Sequence, residues 1–120
     1  MPSLKRSSFM AVNLNQTLLG PKTVLRDNTV FVDEKLIIEG QVFARKIDAG
    51  NNPVIIGAGA EVIVETEILG SEIVVLGRVK GELKAKNEIM VSEKGSVEGN
   101  LTAPKIKLDP TASVSGVLRH

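Results

Sequence analysis

Apolar and polar residues alternate along much of this chain, as in Val97-Glu98-Gly99-Asn100-Leu101-Thr102-Ala103. Alternation with a period of two belongs to a strand that buries one face. The phrase is also repeated. Val79, Gly81, Leu83 and Ala85 match Val97, Gly99, Leu101 and Ala103 at a spacing of 18, and Val114, Gly116 and Leu118 follow 17 residues later. Val54, Ile73, Ile89 and Ile106 form a further column, and Ile56, Val75, Val91 and Leu108 another. Upstream, Ile38, Gly40, Val42 and Ala44 open an earlier unit, with Val62, Val64, Thr66 and Ile68 in the one after it. Val30 and Val32 are expected to end a first, partial unit, one repeat before Val54 and Ile56. The long interval between those pairs is assigned to "RKIDAGNNP", residues 45–53, whose Gly, Asn and Pro content suits a loop bulging from a corner.

Strands this short cannot bury their apolar face alone. Coiling the chain so that each unit lies on its predecessor pairs the backbone groups and stacks Val on Val and Leu on Leu. The expected fold is therefore all-β: a single-stranded triangular parallel β-helix of roughly five rungs about 4.8 Å apart, each about 16–19 residues long. Val79, Val97 and Val114 should share one interior column, and Leu83, Leu101 and Leu118 another. Gly40, Gly81, Gly99 and Gly116 are placed in one corner column. The clusters "VDEK", "SEKGS" and "DPTAS" supply other corners.

Composition narrows the function. The chain has 120 residues, enough for one domain, and 15 basic against 14 acidic residues, so no strong field draws a polyanion. Three Phe and no Tyr or Trp leave no stacking platform for bases, and nucleic acid is not an expected partner. Without cysteine there is no disulfide, thiolate metal site or thiol nucleophile. The single histidine, His120, is the last residue and is expected to be an unfixed end. "GAGAEV" at 57–62 lacks the third glycine and the following helix of a phosphate loop, and reads as a corner. Glu65 and Glu67 near Glu61 and Glu72 read as a solvated acidic patch. Arg78, Lys80, Lys84 and Lys86, interrupted by Glu82, read as a solvated basic strip, with a neighbouring filament or an anionic lipid surface as the alternative. No catalytic, cofactor or metal residue is assigned, and an enzyme is not expected. No apolar run approaches the roughly 20 residues of a membrane-spanning helix, and residues 1–20 lack the apolar core of a secretory signal. A cytoplasmic setting is expected.

"KLIIEGQV", "EIVVLGRVKGELKAKNEIMVSEKGSVEGNL" and "APKIKLDPTASVSGVL" carry paired hydrophobics, then V-x-G-x-L/I-x-A, then a charged corner. In order and spacing this resembles the bactofilins, the polymer-forming bacterial cytoskeletal family, over about residues 24–118. The resemblance implies a right-handed helix that polymerises end to end without nucleotide or other cofactor. It also implies attachment at the inner face of the cytoplasmic membrane through a short N-terminal segment. Domain boundaries follow: a flexible segment and candidate membrane-targeting peptide over 1–20, the β-helix over 21–118, and a C-terminal end at 119–120.

An uncapped solenoid exposes strand edges and a slice of core at each end, so a second copy is a natural cap. Val30 and Val32 at one end, with Val114, Val117 and Leu118 at the other, are the candidate polymerisation contacts. Head-to-tail contacts would give a polar filament and alternating like-end contacts an apolar one, and the residues are compatible with both. In "MPSLKRSSFMAV", Leu4, Phe9 and Met10 beside Lys5 and Arg6 are the candidate membrane contacts. A disordered tail and a lid over the first rung are the alternatives for that segment. A scaffold that shapes the cell or localises client proteins is the expected function. The competing reading is a non-polymerising β-helical binding module, similar to the C-terminal domain of a division-site inhibitor.

Overall fold

The computed structural model describes residues 16–119. Twelve strands and no helix occur among them: β1 (Gln16–Leu19), β2 (Val24–Phe31), β3 (Lys35–Ile38), β4 (Gln41–Asp48), β5 (Val54–Ile56), β6 (Glu61–Val75), β7 (Arg78–Val91), β8 (Ser96–Glu98), β9 (Leu101–Thr102), β10 (Lys105–Leu108), β11 (Ser113–Ser115) and β12 (Leu118–Arg119). All pairings are parallel, and each strand lies on the one a turn earlier. The result is a parallel β-solenoid of about six turns.

Three sheet faces run along it. One is built from β1, β3, β5, the ends of β6 and β7, and β10. The second holds the starts of β2, β4, β6 and β7, then β8 and β11. The third holds the later part of β2 and β4, the middle of β6 and β7, then β9 and β12.

Alternation puts every second residue inside. Leu25, Val42, Val62, Val79, Val97 and Val114 stack in register on the second face. Val30, Ile47, Ile68, Leu83, Leu101 and Leu118 stack on the third. Leu36, Val54, Ile73, Ile89 and Ile106 do so on the first, with Ile38, Ile56, Val75, Val91 and Leu108 beside them. Among the described residues every buried side chain is apolar. Each fully buried Leu or Ile contributes about 1.5–3 kcal/mol relative to exposure, and stacking like on like keeps the interior free of polar atoms that would need partners.

The later repeats thus lie where the spacing places them, and the earlier ones require four corrections. Val30 and Val32 do not precede Val54 and Ile56 in a column; Leu36 and Ile38 do, while Val30 pairs with Ile47. The solenoid has about six turns rather than five, because β1 adds a strand on β3 within the segment 1–20 that was expected to be flexible. Arg45–Asp48 does not loop out. These residues continue β4 with Ile47 fully buried, and only residues 49–53 form the turn. Gly40 belongs to a different corner from Gly81, Gly99 and Gly116, since Val42 is the residue in the Val79 column.

Candidate polymerisation interface

Burial fades towards the C-terminal end. Within one interior column Leu83 and Leu101 are fully buried, whereas Leu118 is 39% exposed. The rest of the last turn follows suit: Ile106, Ala112 and Val114 are half-buried and Leu108 is exposed, while Val117, an outward position opposite Asn100, is exposed as well. The partners of Ile106, Leu108, Ala112 and Val114 in the previous turn, Ile89, Val91, Gly95 and Val97, are all buried. These interior positions carry no polar side chain in either turn; the last one lacks a turn above it among the described residues.

Backbone groups follow the same logic. Ser113 donates to Gly95 O at 2.9 Å, while Ser115 O, Val117 O and Arg119 O accept from Gly99, Leu101 and Ala103 N–H at 2.8, 2.9 and 3.0 Å. In a parallel strand alternate residues bond to opposite sides. The groups of Val114, Gly116 and Leu118 therefore face the open end. They offer a second chain both apolar surface and hydrogen-bonding edges. Two local devices hold this turn in shape. Asn100 Oδ1 accepts from Val117 N–H at 3.0 Å. Asp109 Oδ1 accepts from Thr111 N–H at 2.9 Å and from its hydroxyl at 2.8 Å; these two bonds hold the Asp109 carboxyl below the ordinary carboxylate range.

The other end is less regular. Val30 is half-buried, with Leu19 and Leu25 beside it, while Val32 is buried and its N–H donates to Asp48 O at 2.8 Å. Val32 thus belongs to the interior more than Val30 does. Around them lie Leu18, Val24 and Phe31, exposed by 54%, 57% and 71%, which the repeat pattern did not mark because their side chains point outward. Leu4, Lys5, Arg6, Phe9, Met10 and His120 lie outside the described residues.

The charged surface is paired rather than focused. Glu67 bridges Lys46 at 3.6 Å and Lys84 at 3.0 Å across three turns, and Glu88 pairs with Lys107 at 3.7 Å. Lys86 meets Asn51 Oδ1. Arg78 and Lys80 share a shallow groove of about 200 Å³ with Glu61 and Glu98. The basic strip is thus divided by partners, and the candidate acidic pair has lost Glu67 to two lysines. Among the described residues no three His, Cys, Asp or Glu side chains group as metal ligands, and no helix is long and apolar enough to cross a membrane.

Three comparisons bear on this geometry. The family described as bactofilin, polymer-forming cytoskeletal, matches residues 17–119. The chain is similar to bactofilin BacO of Myxococcus xanthus (strain DK1622), with 30% identity over 115 residues, 96% of this chain and 84% of that protein. Its fold is similar to a Thermus thermophilus bactofilin solved by cryo-electron microscopy as double helical filaments, with a TM-score of 0.64 and 23% identity over 85% of this chain and 98% of that one. A solenoid with an open apolar end and a family match over nearly its whole length together make this chain a member of the bactofilins, a family of polymer-forming cytoskeletal proteins.

Proposed function

We propose that this chain is a scaffold subunit that polymerises through its terminal turns, without nucleotide, into filaments at the inner face of the cytoplasmic membrane. The observation that carries the reading is the last turn, where Leu108 and Leu118 are exposed beside a half-buried Val114 in columns that are fully buried one turn earlier. Covering that turn would return Leu118 to the environment of Leu101 and satisfy the open edge. Val30 contributes on the opposite end.

Leu118→Arg or Val114→Arg places a charge in such a contact, where an unpaired buried charge costs several kcal/mol. Subunits should then stay dispersed by negative-stain microscopy and sedimentation, with circular dichroism unchanged. Intact filaments in both folded variants would remove the C-terminal turn from the contact.

Membrane attachment rests on Leu4, Phe9 and Met10 beside Lys5 and Arg6. Each inserted Leu or Phe is worth about 1.5–3 kcal/mol and each basic residue near anionic lipid about 1 kcal/mol, partly offset by ordering. One subunit would bind weakly and a filament firmly. Filaments should co-sediment with anionic liposomes. Deleting residues 2–12, or changing Phe9 to Glu, should abolish this without dissolving filaments; equal sedimentation of the deleted protein would show that the segment is not the anchor.

A further inference from the structure

The three outer faces differ in one respect that neither the fold nor end-to-end assembly requires. On the second face the outward positions include Glu61, Arg78, Lys80 and Glu98, and on the third Lys46, Glu67 and Lys84. On the first face the outward position is apolar on five successive turns: Leu18, Ile37, Ile55, Val74 and Met90, paired in register, before Lys107 ends the row. Leu18 is 54% exposed and the other four are half-buried. The interior does not need them, because the residues flanking them, such as Leu36, Ile38, Val54 and Ile56, already fill the core side.

We propose that this stripe is a lateral interface on which a second copy of the chain packs face to face and antiparallel, centred on Ile55. Antiparallel packing about that centre sets Ile55 on the partner's Ile55, Ile37 on Val74 and Leu18 on Met90, so every apolar position meets another. The row beside the stripe runs Gln16, Lys35, Pro53, Glu72, Glu88. The same operation brings Lys35 over Glu72 twice and Gln16 over Glu88. Parallel packing in register would instead set Lys107 against Lys107 on the stripe itself. An anionic membrane is the poorer occupant, since Glu72 and Glu88 border the stripe and would face the lipid headgroups.

Five side chains over roughly 20 Å of stripe, from the strand spacing, make a small contact. A lone pair would dissociate readily. Repeated along a polymer the contact becomes multivalent, and to that extent the inference rests on end-to-end assembly.

The test uses the full chain, which has no native cysteine. Facing sheets lie about 10 Å apart, beyond disulfide reach, so a short bis-maleimide is the probe. Ile55→Cys should cross-link to itself about tenfold faster than Glu98→Cys on the second face, as multivalency requires. Ile37→Cys should cross-link to Val74→Cys in mixtures and poorly to itself. By microscopy, Ile55→Glu should form single filaments where the unaltered chain forms pairs. Equal cross-linking at positions 55 and 98, efficient self-linking of Ile37→Cys, or pairs that persist in Ile55→Glu would overturn the proposal. So would a position 55 that reacts with maleimide only after residues 1–15 are deleted, because the chain's own first residues would then occupy the stripe. Failure of the end-to-end reading shows separately, as an absence of filaments in the unaltered chain.

Discussion

The first three turns and the last three solve the same packing problem with different corners. In the last three, Val79 is followed by Leu83, Val97 by Leu101 and Val114 by Leu118, and the residue midway is a glycine at φ 143°, 149° and 152°. In the earlier turns the corresponding pairs, Leu25 and Val30, Val42 and Ile47, Val62 and Ile68, lie further apart, and the pairing slips between Ala44 and Ile47 and between Ile63 and Glu67. Ala44 and Val64 occupy the wider corners and are themselves buried. The change comes at Gly81, where an added Cβ would collide with Val64 Cγ2 and lie 3.0 Å from Val64 O. A tight corner can follow a wide one only by giving up its side chain. Regular repetition in the C-terminal half is thus a consequence of corner geometry, while stacking of the apolar columns is common to both halves.

Breaking a tight corner should have the largest effect. Gly99 has φ 149°, and a Cβ there would overlap the Gly81 carbonyl oxygen. Gly99→Ala should cost roughly 2–6 kcal/mol, combining backbone strain with overpacking. Gly59, in an N-terminal corner with nothing within 4 Å of an added Cβ, should accept alanine and gain about 0.4–1 kcal/mol from the stiffer unfolded chain. Chemical denaturation of both variants measures the contrast, and equal losses would show that the crowding and positive φ at Gly99 carry no cost.

Leu101 and Leu118 make the next comparison, one turn apart in a single column. Leu101→Ala should lose about 2–5 kcal/mol as a packed interior site. Leu118→Ala should lose less than about 1.5 kcal/mol in the dispersed subunit, where that residue is still 39% exposed. It should nevertheless raise the concentration needed for assembly. Comparable destabilisation of dispersed subunits by both changes would mean that the last turn is already covered.

These differences also explain what could be read from the residues. Val79, Val97 and Val114 announced their column because each tight corner uses the same number of residues. Val30 and Val32 were misplaced because the wide corners and the turn at 49–53 change the interval at two points within one turn, and spacing alone cannot apportion the change. Arg45 and Lys46 resemble loop because they follow Ala44 through the wide corner, where the pairing slips; the buried Ile47 between Lys46 and Asp48 is the opposing signal. The outward stripe was legible in principle. "LII" at 36–38, "VII" at 54–56 and "IMV" at 89–91 are unbroken apolar runs where one-sided burial predicts alternation, and Ile37, Ile55 and Met90 are the residues in excess. Interface assignments at the ends followed from the uncapped pattern, whereas Phe31 and Val24 carry no repeat and could be found only from exposure.

Where the two halves join, Glu67 ties Lys46 of the earlier turns to Lys84 of the later ones. All three side chains are partly exposed, so Glu67→Gln should cost at most about 1 kcal/mol for both pairs. The loss should shrink as salt is raised towards 1 M. A salt-independent loss would indicate that Glu67 acts through packing.

The smallest effect belongs to the corner at Asp109. A backbone bond from Ala112 N–H to Asp109 O at 2.9 Å closes it, as equivalent bonds close the earlier corners at Gly20–Thr23 and Gly57–Ala60, and side-chain bonds add to it here. The Asp109 carboxylate holds Thr111 by two hydrogen bonds, and Thr111 Oγ1 in turn accepts from Lys94 N–H at 3.1 Å, where Lys94 has φ 63°. Because the folded state holds the Asp109 carboxyl below its ordinary range, the ionised form is favoured by folding. That contribution is fully present above the unfolded value of about 4 and is lost as pH falls through the lower folded value. Asp109→Asn keeps an acceptor oxygen but no charge. Its melting temperature should lie slightly below that of the unaltered chain near neutral pH and converge with it as the solution is acidified below about pH 4. Asp109→Ala, which removes the acceptor as well, should stay lower at every pH. A constant difference for Asp109→Asn across the acid range would show that the charge contributes nothing and that the corner is held by hydrogen-bond geometry alone.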